Sequence, residues 1–142
     1  MIYKSILVGL DGSDQAKRAF ATGLSLAKVL SADLHLAWVV NRDRGMDASF
    51  GVNEDFYQDM AERVDQKMTP YIKRAREEGI EVVGHTVVGN IKMVLTKDLP
   101  EENNIDLIIV GKTGANALEK MLQGSHSGYI VSHSNCDVLV VE

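Results

Sequence analysis

Three glycines and a serine near the C-terminal end of the chain have the spacing of a phosphate-binding loop. Gly111 and Gly114 follow the most strongly apolar run of the sequence, and nine residues later Gly124 and Ser125 precede a helical pattern. Glycine lets the backbone take positive φ and approach a ligand, and the free N–H groups at the start of a helix attract anions. The spacing therefore predicts a cradle for phosphates. The alternative, from the residues alone, is a set of glycines that only shape turns.

A Walker A loop is excluded, although Gly111-Lys112-Thr113 resembles the end of one. That loop requires a glycine five positions before the glycine that precedes the lysine. Asp106 occupies this position, inside a predicted strand. We therefore expect the phosphates to contact the helix start at Gly124 rather than to be wrapped around Lys112, whose ammonium offsets their charge.

Five apolar strand patterns alternate with four helical patterns along the chain. The strands are predicted at residues 6–9, 33–40, 81–88, 105–110 and 138–141. The helices are predicted at residues 14–30, 53–78 (with a kink or break at Pro70), 91–99 and 125–134. Ser13 or Asp14 is the predicted N-cap of the first helix, and Asn53 is that of the second. This alternation predicts one α/β domain, residues 1–142, built on a doubly wound, Rossmann-like parallel sheet of five strands with helices on both faces.

The predicted fold places the glycine framework at an edge of the sheet where ligands bind. In doubly wound sheets the ligand lies beyond the carboxyl ends of the strands, where the strand order reverses. Three loops follow such strand ends: residues 9–13, the segment from residue 41 onward, and residues 111–124. These loops are the predicted walls of a binding site.

Composition and charge argue against several classes of partner. The 142 residues carry a formal net charge of −5 with a pI near 5.3, whereas a nucleic-acid binder shows a basic face. No segment approaches the roughly 20 apolar residues of a membrane helix, and the N-terminus has no secretory pattern. The single cysteine, Cys136, cannot form an internal disulfide. We predict a cytoplasmic protein that binds neither nucleic acid nor membranes.

The same residues resemble the universal stress protein family. The pattern Gly-x-x-Gly, nine residues, Gly-Ser is similar to the ATP-binding signature of that family. The run from Tyr3 to Ser13 resembles its opening strand and Asp-containing turn, and the run from Cys136 to Val141 resembles its closing strand. The resemblance covers essentially the whole chain and implies a fold similar to that of the adenine nucleotide alpha hydrolases.

The resemblance implies an ATP site with Mg²⁺ or Mn²⁺ bridging the phosphates. Asp11 matches the residue whose carboxylate binds the ribose hydroxyls. The backbones implied for the adenine and ribose are those of Gly9, Leu10 and Val39. The segments implied for the phosphates are Gly111, Lys112, Thr113 and Gly114 in one loop, and Gly124, Ser125, His126 and Ser127 at the helix start. His126 and Asp137 depart from the family pattern, which usually has a small or branched apolar residue and a proline there.

Three functional hypotheses follow. The first is an ATP-dependent regulator of stress responses that forms a homodimer through the final strand, from Val138 to Val141, since edge strands pair readily with a second copy. The second is a slow ATPase, slow because no general base is evident near the expected γ-phosphate. The third is a dimeric interaction module that binds no nucleotide.

Some single residues have simpler interpretations. An aspartate in a β-to-α turn, such as Asp11, often only caps the turn. His126 and His133 are seven residues apart instead of the four typical of a helical metal pair, and His35 and His85 fall on separate strands. The sequence therefore predicts neither a histidine metal site nor a catalytic residue.

Overall fold

A parallel sheet of five strands forms the centre of the protein. The computed structural model describes residues 2–42, 53–112 and 126–142. The strands are β1 (Ser5–Leu10), β2 (Asp33–Asn41), β3 (Val82–Gly89), β4 (Leu107–Gly111) and β5 (Asp137–Val141). Their order across the sheet is β3-β2-β1-β4-β5, and every pairing is parallel. The predicted α/β fold with a five-stranded parallel sheet is confirmed.

The helix after β1 begins as its sequence predicts. α1 (Asp14–Leu30) is capped by Ser13, whose hydroxyl accepts a hydrogen bond from the Ala16 N–H at 3.1 Å. Such a cap satisfies one of the four N–H groups left free at a helix start. The small residues of this helix, among them Ala16 and Ala19, are buried against the sheet. α1 therefore starts close to the carboxyl end of β1.

The second helix is longer and continues past its proline. α2 (Glu54–Glu77) is capped by Asn53, which accepts a hydrogen bond from the Phe56 N–H. Pro70 lies inside α2 and does not break it, because buried Met68 and Ala75 hold both halves of the helix against the sheet.

A short helical segment crosses from β3 to β4 with a change of pitch. It consists of α3 (Ile91–Met93), a π-helical turn (Val94–Asp98) and α4 (Leu99–Asn103). Asn90 caps its start by accepting from the Met93 N–H. Single π-helical turns of this kind often occur beside functional sites. The last helix, α5 (His126–His133), leads into β5.

Helices cover both faces of the sheet. One core joins α1 and α2 to the face formed by Ile6, Val8 and Leu34. The other joins the π-helical turn and α5 to the face formed by Leu7, Ala37 and Ile108. Burial on both faces explains the continuous apolar character of β1 and β4. None of the helices within the described residues is long and apolar enough to span a membrane.

The strand order across the sheet reverses between β1 and β4. β2 and β3 lie on one side of β1, whereas β4 and β5 lie on the other. The loops that follow β1 and β4 therefore leave the sheet side by side and diverge, which opens a crevice between them.

Candidate functional site

A cleft occupies this crevice at the carboxyl edge of the sheet. It encloses about 620 Å³ of space between protein atoms, part of it open to solvent. Ligands of doubly wound sheets bind at this place in the fold. Its described lining residues are Gly9, Leu10, Asp11, Ser13, Ala16, Ala37, Val39, Ile91, Leu95, Val110, Gly111, Lys112, His126, Ser127 and Ile130.

The described residues predicted from the sequence converge on this cleft. Gly9, Leu10, Asp11, Val39, Gly111, Lys112, His126 and Ser127 all line it. The predictions for Thr113, Gly114, Gly124 and Ser125 lie outside the described residues. The structure thus brings β1, β2, β4 and the start of α5 around one space.

The Asp11 turn forms the exposed lip of the cleft. The Asp11 Oδ1 atom accepts a hydrogen bond from the Ser13 N–H at 2.9 Å. Gly12, between them, has φ +83, a conformation that other residues rarely adopt. The turn-capping interpretation of Asp11 is therefore correct for Oδ1. Oδ2 receives no hydrogen bond from the described residues and is available to a ligand.

The Asp11 carboxylate also affects the pKa of a tyrosine on the other face of the sheet. Burial raises the pKa of the Tyr71 hydroxyl, and the nearby Asp11 carboxylate raises that pKa further. Both effects disfavour a second negative charge near the turn. The negative charge of Asp11 therefore acts on Tyr71 of α2 as well as on the cleft that Asp11 lines.

Gly111 is required for a reason that the sequence did not indicate. Its φ is not positive, in contrast to the expectation for a glycine in this loop. A Cβ added at Gly111 would instead lie 2.6 Å from the carbonyl carbon of Gln15 and 2.7 Å from its oxygen. The end of β4 thus packs directly on the first turn of α1, and only glycine permits this approach.

Lys112 is held at the rim of the cleft by the last residue of the chain. Its Nζ atom lies 3.0 Å from Oε1 of Glu142, and both side chains are largely exposed. Its backbone N–H donates to the Val141 carbonyl. The ammonium group is thus close to the cleft but shared with a carboxylate.

The start of α5 forms the wall opposite the Asp11 turn. His126 is half-buried there, and Ser127 is buried. Both face the cleft from the first turn of an eight-residue helix, where N–H groups and the helix dipole favour an anion. His126 therefore stands in the cleft wall rather than on the outer surface.

Two other histidines meet, although the sequence placed them only on separate strands. The Nδ1 atom of His35 lies 3.0 Å from Nε2 of His85, and the two rings are within 15° of parallel. Burial lowers the pKa of both imidazoles. Within the described ranges, no group of three or more His, Cys, Asp or Glu side chains is arranged to hold a metal ion.

The structure adds lining residues that sequence reasoning missed. Ala37, Ile91, Leu95, Val110 and Ile130 supply an apolar floor. Two signals in the sequence could have identified three of these positions. Ala37 alternates with the predicted Val39 in β2, and Ile91 and Leu95 have the four-residue spacing of one helix face. Their convergence on one space depends on the strand order.

Comparison with known proteins identifies the family. The model of the universal stress protein family matches residues 2–142. The chain belongs to the universal stress protein family. A putative universal stress protein of Staphylococcus aureus strain USA300 is 34% identical over 141 residues, which are 98% of this chain and 84% of that protein.

Solved structures of the family have the same fold. Universal stress protein UspA from Lactobacillus plantarum has a TM-score of 0.82 and 24% identity, covering 100% of this chain and 99% of that one. A universal stress protein in complex with cAMP has a TM-score of 0.78 and 25% identity, covering 100% of this chain and 99% of the other. Both structures match this universal stress protein over all of this chain, and one of them was solved with an adenine nucleotide, cAMP.

Proposed function

We propose that this universal stress protein binds ATP in the cleft between β1 and β4, with its whole chain, residues 1–142, acting as one nucleotide-binding domain. The observation that carries the proposal is the convergence of eight sequence-predicted residues on one cleft at the strand-order reversal. The relative in complex with cAMP supports an adenine nucleotide as the ligand.

The chemistry of the cleft suits the three parts of the nucleotide. The half-apolar space beside Gly9 and Val39 accommodates the adenine, whose edge bonds to backbone groups. The Oδ2 atom of Asp11, to which no described residue donates, accepts a hydrogen bond from a ribose hydroxyl. The start of α5 at His126 and Ser127 receives the phosphates, together with the glycine framework of residues 111–125.

A divalent cation is part of the proposal through the phosphates. Mg²⁺ is usually bound by phosphate oxygens and water with few protein ligands. The described residues of the cleft contribute one carboxylate, that of Asp11, which fits such a phosphate-held ion better than a protein-held one. The ion would neutralise the negative charge of the phosphates, because a chain with a net charge of −5 does not offset that charge itself.

The proposal extends to assembly and role. β5 pairs with β4 on one side, and no other described strand pairs with it. An open edge of this kind suits antiparallel pairing with a second copy through the strand from Val138 to Val141. We propose a homodimeric, cytoplasmic regulator of a stress response whose state depends on the bound nucleotide, with at most slow ATP hydrolysis.

The proposal is tested by identifying the nucleotide directly. The protein is purified without denaturation, its bound small molecules are extracted and identified, and ATP is titrated by calorimetry with and without Mg²⁺. Gly124→Asp and Ser125→Glu each place an anion where a phosphate is expected and should weaken binding, because like charges repel. Absence of binding at millimolar ATP would favour the interaction module that binds no nucleotide.

A further inference from the structure

The only tryptophan of the chain lies directly behind the Asp11 turn, on the face of the sheet away from the cleft. Trp38 is in β2, where it pairs with Leu10, the last residue of β1. Its neighbours Ala37 and Val39 point into the cleft, whereas Trp38 packs against the core formed with α1 and α2. Trp38 is therefore not among the residues that line the cleft.

The Trp38 ring faces the central glycine of the turn and closes the space behind it. A Cβ added at Gly12 would lie 3.4 Å from Cζ2 and 3.5 Å from Cη2 of Trp38, which is van der Waals contact. Gly12 joins Asp11 to Ser13, the two residues that close the turn by a 2.9 Å hydrogen bond. Loss of the ring would therefore open space behind the backbone that carries the Asp11 carboxylate.

The ring is itself held in place by α2. The Lys67 ammonium lies 6.0 Å from the ring centroid of Trp38. Beside it, Tyr71 of α2 and Phe20 of α1 meet edge to face at 4.9 Å, and both pack against the same core. The indole of Trp38 thus lies between α2 and an otherwise exposed turn.

We propose that Trp38 is a positioning residue that fixes the Asp11 turn so that Oδ2 meets the ribose hydroxyls. This inference rests on the proposed function, since it deepens the account of the same site. The turn needs such support because Gly12 is flexible and Asp11 is exposed. Without the ring, the Asp11 carboxylate samples more orientations in the free protein. Binding of the ribose must then order it, which costs free energy and weakens the contact.

A tryptophan that only fills the core would behave differently. Its replacement would lower the free energy of unfolding but would leave the preference for ribose hydroxyls unchanged. The discriminating quantity is the ratio of dissociation constants for ATP and 2′,3′-dideoxy-ATP, measured where circular dichroism shows every variant folded. This ratio reports on the Asp11–ribose contact and not on overall stability.

The experiment compares Trp38→Leu with Phe20→Leu, a matched loss of an aromatic ring from the same core that leaves Gly12 untouched. Trp38→Leu should reduce the preference for ATP about fivefold or more, in the range of coupling transmitted through a backbone shift, and Phe20→Leu should not. In an Asp11→Ala background, Trp38→Leu should weaken ATP binding no further.

The outcomes separate this inference from the proposed function. If the wild-type protein binds no ATP, the proposed function fails. If it binds ATP but treats the dideoxy analogue equally, or if Trp38→Leu and Phe20→Leu change the ratio alike, the positioning role is wrong. If Trp38→Leu does not fold, the fluorescence emission of Trp38, the single tryptophan, is measured in the wild-type protein instead. ATP must then shift the emission more than dideoxy-ATP does, and Asp11→Ala must abolish the difference; equal shifts overturn the inference.

Discussion

The Nδ1 atom of His35 and the Nε2 atom of His85 lie 3.0 Å apart, which joins β2 to the edge strand β3 by a side-chain hydrogen bond. Such a bond needs one nitrogen that carries a proton and one that accepts it. Adding a proton to both rings would place two N–H groups face to face. The pair is therefore an acid-sensitive contact at one edge of the sheet.

The histidine pair predicts a loss of stability in mild acid. Burial lowers the pKa of both rings from the ordinary value of 6.5, and Asp33 opposes this in part at His35. Below pH 6.5 the unfolded chain binds more protons than the folded one, so the free energy of unfolding falls as the pH falls toward the lowered pKa values. Above that pH the two histidines add no pH dependence.

Urea unfolding between pH 7.5 and 5.5 checks this. His85→Val, a residue that suits an edge strand, should reduce the slope of stability against pH below about 6.5, the ordinary histidine value. Val83→Thr, an exposed position on the same strand that removes no titratable group, is the control and should leave the slope near that of the wild type. An identical slope in His85→Val and the wild type would contradict this account of the pair.

Gly111 gives a prediction about the contact between β4 and α1. Gly111→Ala forces a Cβ to within 2.6 Å of the Gln15 backbone, so the two elements must separate. We expect a loss of about 1–3 kcal/mol in the free energy of unfolding, the usual range for overpacking. Gly89→Ala is the control, because its added Cβ meets nothing closer than Val94 Cγ2 at 3.4 Å. Equal losses in the two variants would show that the approach to Gln15 is not limiting.

Glu142 gives a prediction about the phosphates. Its carboxylate holds the Lys112 ammonium at the rim of the cleft, where a phosphate chain would compete for the same charge. Glu142→Gln should tighten ATP binding about two- to fivefold, in the range of an exposed ion pair, and should leave adenosine binding unchanged. Glu101→Gln is the control on α4. Equal tightening for ATP and adenosine would rule out competition for Lys112.

The open edge of β5 gives a prediction about assembly. Leu139→Glu places a charge on this strand, and charges on edge strands oppose pairing. We expect the dimer dissociation constant, measured by sedimentation equilibrium, to rise at least about tenfold, a 1.4 kcal/mol change. Val29→Glu, at an exposed site on α1, should not alter it. A wild-type protein that sediments as a monomer would refute the dimer itself.

The local features of the fold could be predicted from the sequence. Strand and helix periods gave the order of the elements, and the caps at Ser13 and Asn53 followed from residue types that accept hydrogen bonds from free N–H groups. Pro70 was expected to kink or break α2. The predicted break is wrong, since the helix is continuous from Glu54 to Glu77. The local pattern does not include the packing of Met68 and Ala75 on the sheet. The kink stays a prediction.

The non-local features could not be predicted. The contact of Gly111 with Gln15 requires the packing of α1 against the end of β4, and the His35–His85 pair requires a register between strands 50 residues apart. The role of Asp11 was left open between turn capping and ligand binding. The structure shows that one carboxylate oxygen does the first and that the other faces no described donor.

The central claim is that this universal stress protein binds ATP through the Asp11 turn, and a calorimetric titration of two variants tests it most directly. Asp11→Ala should weaken ATP binding about tenfold or more, because a hydrogen bond to a charged group contributes about 1.5–3 kcal/mol. Asp14→Ala removes an exposed carboxylate three residues further on, one that pairs with Lys17 outside the cleft, and should bind ATP as the wild type does. Unchanged affinity in Asp11→Ala, or an equal loss in both variants, would contradict the account.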